Sequence, residues 1–259
     1  MSRTLDGAVA VITGAAGGLG VAVAESLAAA KASLVLLDVS VDALAPLAAA
    51  IESTGAPRPL TLACDVTDAD RVEEVAREVE KRVGPCAVLV NNAAVYQRAA
   101  LEEHSIALWD MTLAVNLRGY FLCTRAFGRS MLANGSGSIV NVASIAAQGP
   151  TPGAVSYCVS KAAIVALTRQ TALEWGPRGV RTNAVSPGFM STPMSSAFGD
   201  EELVRLREKR VPVGRIGTTE EVARVIAFLA GDGASYVNGV NITIDGGLTQ
   251  TLSQTFPRP

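Results

Sequence analysis

The chain has 259 residues, of which 49 % are hydrophobic and 18 % charged, with a formal net charge of −2. That composition excludes a disordered chain, and the interspersed charges leave no basic block for nucleic acid or an anionic membrane surface. No apolar run reaches the roughly 18 residues of a membrane span, so the expectation is one soluble domain, 1–259, whose partners are small molecules.

Taken in order, residues 8–13 are a short β-branched run followed by glycines and the small-residue stretch 21–30, which predicts strand, glycine turn and helix. A second strand is predicted at 34–37 and a helix at 41–53, with Pro46 in its first turn. Strands follow at 60–64, 87–90, 139–142, 181–185 and 240–244, and helices at 69–83, 105–133, 155–175, 201–209 and 219–229. Seven strands alternating with helices predict a doubly wound α/β fold, a mostly parallel Rossmann-type sheet with helices on both faces. Two stretches are less regular: 186–212, read as a substrate loop, and the tail 248–259. The start, MSRTLDG, carries no signal-peptide pattern, and Cys64, Cys86, Cys123 and Cys158 lack metal-ligand spacing, which fits a reducing cytoplasm and no metal. His104, the only histidine, has no companion for a triad and is expected at the surface. Cys158 is expected to be a buried structural thiol, because helix neighbours point apart.

In such a sheet ligands sit beyond the carboxyl ends of the strands. After the first strand stands Thr13-Gly14-Ala15-Ala16-Gly17-Gly18-Leu19-Gly20. Gly14, Gly18 and Gly20 permit a tight turn, and a pyrophosphate can approach the backbone N–H groups there, that of Leu19 included, at a helix N-terminus. The spacing differs from the G-x-G-x-x-G fingerprint. Asp38 ends the second strand, where a carboxylate accepts hydrogen bonds from an adenosine ribose and repels a 2′-phosphate. No Arg or Lys stands in the glycine turn or within two residues of Asp38, which favours NAD over NADP. The competing reading makes Asp38 a helix cap, a job Ser40 also suits. Asp65 and Val66 end the third strand, and Asn91, Asn92, Ala93 and Ala94 the fourth; singly these are also ordinary turn residues. Asn116, polar within an apolar helical run, needs a partner if buried. Pro187 and Gly188 form a turn after the sixth strand, with Thr192 set to reach a cofactor's amide or phosphate.

The stretch 144–161 carries the chemistry. Tyr157 and Lys161, four apart, share one helix face, and the turn 149–153 folds Ser144 back towards them. A phenol with a pKa of about 10 is a poor base at neutral pH, but a neighbouring ammonium favours the phenolate, and the Ser144 hydroxyl can bond the same reacting oxygen. That suits proton transfer at an alcohol or carbonyl oxygen. A Tyr-x-x-x-Lys alone arises often by chance, so its weight comes from the rest of the chain.

Together these residues resemble the classical short-chain dehydrogenase/reductase family over about residues 6–247. T-G-x-x-x-G-x-G stands at Thr13 to Gly20, N-N-A-G at Asn91 to Ala94 with Ala94 the one departure, and the family's Asn, Ser, Tyr and Lys match Asn116, Ser144, Tyr157 and Lys161. The resemblance implies a nicotinamide cofactor and hydride transfer at a carbon bearing oxygen. It makes Tyr157 the acid/base, Lys161 the group that binds the nicotinamide ribose and lowers the tyrosine pKa, Ser144 the residue that orients substrate, and Asn116 the holder of a water relaying protons to Lys161. It also implies a homotetramer built on the 105–133 and 155–175 helices and the last strand. Substrate-facing positions implied by the resemblance are Val95, Tyr96, Ile145, Ala146, Gln148, Phe189, Met190 and Met194. Most are apolar, which favours a secondary alcohol or ketone of modest polarity, with Gln148 and Tyr96 as hydrogen-bond partners. The alternatives are a sugar or polyol dehydrogenase, a 3-oxoacyl thioester reductase, which the NAD-type Asp38 disfavours, and a dinucleotide-binding regulatory protein without turnover.

Overall fold

The computed structural model describes residues 5–191 and 201–251. Among them, β1 (Val9–Thr13), β2 (Ser33–Asp38), β3 (Leu60–Ala63), β4 (Cys86–Asn91), β5 (Gly137–Val142), β6 (Val180–Pro187) and β7 (Asn241–Ile244) form one sheet, ordered β3-β2-β1-β4-β5-β6-β7. Every neighbouring pair is parallel. Chain order reverses between β1 and β4, and that reversal opens the crevice in which such sheets bind ligands.

Both faces are covered, which is why the central strands read as unbroken apolar runs rather than as an alternation. All of β1 is buried. Side chains alternate across it, Ala10 and Ile12 to one core and Val9 and Val11 to the other. The first core is closed by α1 (Gly18–Ala29), α2 (Ala45–Ser53) and α8 (Thr219–Ala230), through Val23 and Leu27, Leu47 and Ile51, and Val222 and Ile226. The second is closed by α3 (Ala69–Arg82) and α5 (Gly119–Asn134), through Val72, Val75 and Val79 and through Leu122, Phe127 and Met131. The helix α6 (Val155–Trp175) lies over β6, and α7 (Glu201–Arg210) precedes α8. No helix among the described residues is long and apolar enough to cross a membrane.

Four details depart from the sequence-based expectation. The helix predicted at 105–133 is α4 (Ile106–Leu113), a π turn at Ala114–Arg118, and then α5. An apolar stripe cannot separate an α turn from one holding an extra residue. The 41–53 helix begins as a 3-10 turn at Asp42–Leu44, and Pro46 falls in the first turn of α2, where no N–H is needed. His104 is half-buried rather than at the surface. Ser105 caps α4 by accepting from the Leu108 N–H, and His104, just before it, places Nε2 2.9 Å from Ser156 Oγ on α6. Cys158 is half-buried rather than buried, because the first turns of α6 form the lip of the crevice; Cys64, Cys86 and Cys123 are buried.

Candidate active site

A cleft of about 580 Å³ opens at the carboxyl ends of the strands. It runs from Asp38 and Val39, past Gly14, Gly18, Leu19, Asp65, Val66, Asn92 and Ala93, to Ser144, Tyr157, Lys161, Pro187 and Gly188.

At one end the backbone is shaped to take an anion. Gly14 has φ +62°, and a Cβ there would stand 2.7 Å from the Ala93 Cα, so only glycine fits. Helix α1 begins after Gly17, which supplies no side-chain cap, and the first helical bond runs from the Val21 N–H to the Gly17 carbonyl at 2.9 Å. The amides of Gly18, Leu19 and Gly20 therefore have no acceptor within the helix, at its positive end. Gly20 does not line the cleft. A Cβ there would run into the Gly14 carbonyl and stand 2.8 Å from the Ala15 Cα, so this glycine lets α1 press onto the turn. Asn92 pins the turn from β4, its side-chain amide donating to the carbonyls of Thr13 (3.1 Å) and Gly14 (2.9 Å). The Thr13 hydroxyl accepts from the N–H groups of Asn92 (3.0 Å) and Ala93 (3.1 Å).

Asp38 accepts from the Ala16 N–H at 3.1 Å and from the Val39 N–H at 2.8 Å, so its carboxylate faces the glycine turn instead of capping a helix. Ser40, two residues before the 3-10 turn at Asp42–Leu44, accepts from the Ala43 N–H at 3.4 Å, and the cap position itself is Val41. Asp65 accepts from the N–H and hydroxyl of Thr67 at 2.9 and 2.8 Å. Helix amides without acceptors, a carboxylate beside them and a cradle that a Cβ would fill together fit a dinucleotide.

At the other end Ser144, Tyr157 and Lys161 meet. Ser144 follows β5 and caps a short 3-10 turn, Ile145–Ala147, its Oγ accepting from the Ala146 N–H at 3.2 Å. Burial pushes the Tyr157 phenol up to about 12, and the neighbouring Ser144 hydroxyl pulls it partly back. Lys161 is 1 % exposed and stands 5.5 Å from the centre of the Tyr157 ring. Burial pulls it down to about 7. Desolvation acts against the charged form of both groups, so burial opposes the lowering of the tyrosine pKa that the family resemblance implies. Lys161 Nζ donates to the Val142 carbonyl at 2.8 Å and to the Tyr120 hydroxyl at 3.4 Å.

Asn116 is buried in the π turn with its carboxamide fully engaged. Its Oδ1 accepts from the Val95 N–H at 2.8 Å, and its Nδ2 donates to the Val95 carbonyl at 2.9 Å and to Ser160 Oγ at 3.2 Å. The side chain locks the strand exit after β4 onto α6 and does not line the cleft. Of the positions expected to face substrate, Val95 and Met190 line the cleft. The Tyr96 ring lies 4.7 Å from that of Tyr157, tilted by 56°. Phe189 packs under the Arg207 guanidinium at 5.3 Å. Gln148 is exposed and donates to Thr243 Oγ1 at 2.7 Å, because the 3-10 turn after Ser144 sends it towards β7; Ala146 stays in that turn. Thr192 and Met194 lie outside the described residues.

The chain matches the family described as Enoyl-(Acyl carrier protein) reductase over residues 14–249. It is 41 % identical over 246 residues to a D-threitol dehydrogenase of Mycolicibacterium smegmatis, covering 95 % of this chain and 94 % of that one. The chain belongs to the classical short-chain dehydrogenase/reductase family. Within that family it is also 39 % identical to an NAD-dependent glycerol dehydrogenase of Listeria innocua, over 93 % of each chain. Among solved structures, a gluconate 5-dehydrogenase from Burkholderia cenocepacia in complex with NADP and tartrate superposes with a TM-score of 0.92 at 32 % identity, covering 96 % of this chain and 99 % of that one. A short-chain dehydrogenase/reductase with this cleft is an oxidoreductase that acts on an alcohol or ketone with a nicotinamide dinucleotide.

Sequence reasoning missed Tyr120. It sits four residues after Asn116 in an apolar run and reads as a core tyrosine; only the shift of register at the π turn, together with the packing of α5 against β5, reveals its contact with Lys161.

Proposed function

We propose that the chain is an NAD-dependent dehydrogenase of a small polyol or related secondary alcohol, with Tyr157 as base. The observation that carries this is one cleft with Asp38 at one end and Ser144, Tyr157 and Lys161 at the other. Ser144 holds the substrate oxygen, and Tyr157 takes its proton during oxidation. A phenol held up to about 12 by burial needs a cation beside it to do so near neutral pH, and Lys161 supplies that cation when protonated. A nicotinamide held in this cleft would supply the acceptor for the hydride that leaves the carbinol carbon. Asn116 fixes Val95 and Ser160 around the site, and a water held there would carry the proton onwards from Lys161. Pro187, Gly188, Asp65 and Val66 wall the dinucleotide, while Tyr96, Met190 and Phe189 surround the substrate.

The choice of NAD rests on Asp38, whose carboxylate stands where a 2′-phosphate would add a second negative charge. The polyol class is supported by similarity to the D-threitol and glycerol dehydrogenases. It narrows the secondary-alcohol reading and moves the weight from apolar contacts to the hydroxyls of Ser144, Tyr157 and Tyr96. A 3-oxoacyl thioester reductase is the second reading, favoured by 40 % identity over 245 residues to a 3-oxoacyl-[acyl-carrier-protein] reductase of Thermotoga maritima and disfavoured by Asp38. NADH formation over a panel of polyols, aldonates and simple secondary alcohols, with NADP in parallel, decides. We expect turnover with NAD on a polyol and a loss of about a thousandfold in Tyr157→Phe; preference for NADP, or an active Tyr157→Phe, sinks the proposal.

A cytoplasmic homotetramer completes it. Unpaired cysteines suit a reducing compartment. Ile106, Phe121 and Leu173 on α4, α5 and α6 are exposed at 76, 48 and 72 %, apolar area that self-association would cover. Sedimentation giving a monomer at micromolar concentration refutes the tetramer.

A further inference from the structure

Lys161 is a buried cation whose neighbours are almost all uncharged. The titratable groups that face it are Tyr157 from its own helix and Tyr120 from α5, with ring centres 5.5 and 5.2 Å from Nζ. From β5 it meets the carbonyl of Val142. The π turn brings the carboxamide of Asn116 to Ser160, one residue away. Cys123 stands behind Tyr120, and Tyr96 and Cys158 stand beside Tyr157. No carboxylate among the described residues offsets the burial of this ammonium.

Tyr120 is itself 1 % exposed. Burial raises its phenol well above the ordinary range, so it remains protonated. Its proton is committed, because the hydroxyl donates to the Val142 carbonyl at 3.1 Å. What it turns to Lys161 is therefore a lone pair, which accepts from Nζ at 3.4 Å, while Nζ also donates to the same Val142 carbonyl at 2.8 Å. Phenol, carbonyl and ammonium form a closed triangle on one side of Lys161. The remaining N–H of the ammonium is left for the cleft that Lys161 lines.

We propose that Tyr120 is a positioning residue for Lys161: with the Val142 carbonyl it forms an acceptor pair that holds Nζ from one side and leaves its remaining N–H aimed at the cleft. The proposal rests on the oxidoreductase reading of Tyr157 and Lys161 and extends it to a residue outside the Asn116, Ser144, Tyr157 and Lys161 set. A core tyrosine that served only packing would need one partner for its hydroxyl, and Val142 already provides it. The second contact, together with a ring within cation–π reach, ties Tyr120 to the charge on Lys161. Its place in the chain follows from the π turn. The extra residue in that turn advances everything after it, and Gly119 packs so closely on Val66 that a Cβ would stand 2.7 Å from its Cγ2, which seats the start of α5 and turns Tyr120 inward.

Tyr120→Phe removes one oxygen and keeps the ring. The first readout is the titration of Lys161 without dinucleotide, followed by NMR on lysine-Cε-labelled chain; there are four lysines, and Lys161→Met assigns the signal. We expect the midpoint in Tyr120→Phe to fall by about one pH unit, since the charged form loses an acceptor. The second readout is alcohol oxidation against pH, where kcat falls about tenfold near neutral pH while KM for the alcohol stays within about twofold. Phe127→Leu, a core change on the same helix, controls for destabilisation and should leave the midpoint in place. An unchanged midpoint in a folded Tyr120→Phe, or an equal shift in Phe127→Leu, overturns the proposal. Tyr157→Phe in the same assay separates this from the larger reading: its continued turnover would remove the oxidoreductase assignment, whereas a dead Tyr157→Phe beside an unshifted Tyr120→Phe removes only the role of Tyr120.

Discussion

The two ends of the sheet differ in a way that volume alone would misread. The larger hollow, about 1070 Å³, lies at the amino ends of the strands, lined by Gly7, Ala8, Gly137, Arg181 and Tyr236 among others, whereas the cleft at the carboxyl ends measures about 580 Å³. At the amino ends the polar groups serve the fold. The Arg181 guanidinium donates to the carbonyls of Leu229 (2.9 Å), Gly231 (3.1 Å) and Val237 (3.4 Å), tying β6 to the end of α8. At the carboxyl ends they are left incomplete: three helix amides without intrahelical acceptors and a lysine buried without a carboxylate. A binding site is marked by polarity the fold has not satisfied, whereas in the bigger space the Arg181 guanidinium is engaged by backbone carbonyls.

Substitutions at the two ends should therefore fail differently. After the loss expected of Tyr157→Phe, the largest expected effect is on Gly20, where a methyl group meets the Gly14 carbonyl and Ala15. Gly20→Ala should weaken dinucleotide binding by more than about tenfold, read by calorimetric titration, because the turn and the helix amides can no longer keep their spacing. Binding within twofold of the parent would erase the distinction between the ends.

The next effect is on stability. Lys161 has a folded pKa of about 7 against an ordinary value of 10.5, so between these pH values the unfolded chain holds a proton that the folded chain does not. Folding stability contributed by this group is present above pH 10.5 and is lost as the pH falls towards 7. Lys161→Met should accordingly raise the melting temperature by roughly 5 °C at pH 7 to 8, and the gain should shrink as the pH approaches 10.5. A melting temperature lower than the parent's at pH 7.5 would mean that the ammonium is better satisfied than its burial implies.

The smallest functional effect belongs to the amino ends. Arg181→Met removes three hydrogen bonds, although the carbonyls of Leu229, Val237 and Gly231 still accept from Ser138, Asn183 and the Ala234 N–H, and should cost about 1–2 kcal/mol of stability, measured by urea unfolding, yet leave kcat/KM within about twofold. A tenfold loss of kcat/KM there would show that the two ends are coupled.

Much of the architecture was legible because its signals are local. The apolar runs between turn residues place all seven strands and their order of alternation with helices, and the glycines of the first turn fall where the backbone takes φ +62° at Gly14. Tyr157 and Lys161 needed only the helical period to share a face. Less of the site was legible where one element had to be judged against another. Asn116 was recognised as a polar residue wanting a partner, but Val95 and Ser160 lie 21 and 44 residues away in sequence. Gln148 looked free to meet a substrate until β7 brought Thr243 beside it. His104 looked solvent-bound until the cap at Ser105 folded it against Ser156.

By itself, then, the sequence determined the doubly wound sheet, the glycine turn, the acidic end of β2 and the tyrosine–lysine face of α6, because hydrophobic period and turn chemistry act over a few residues. Tertiary structure alone decided that α4 and α5 are joined by a π turn, that Asp38 faces the glycine turn, and that Tyr120 closes a triangle with Val142 and Lys161. These depend on which helix presses on which strand, and the burial that shifts Tyr157 and Lys161 in opposite directions exists only once those layers have closed.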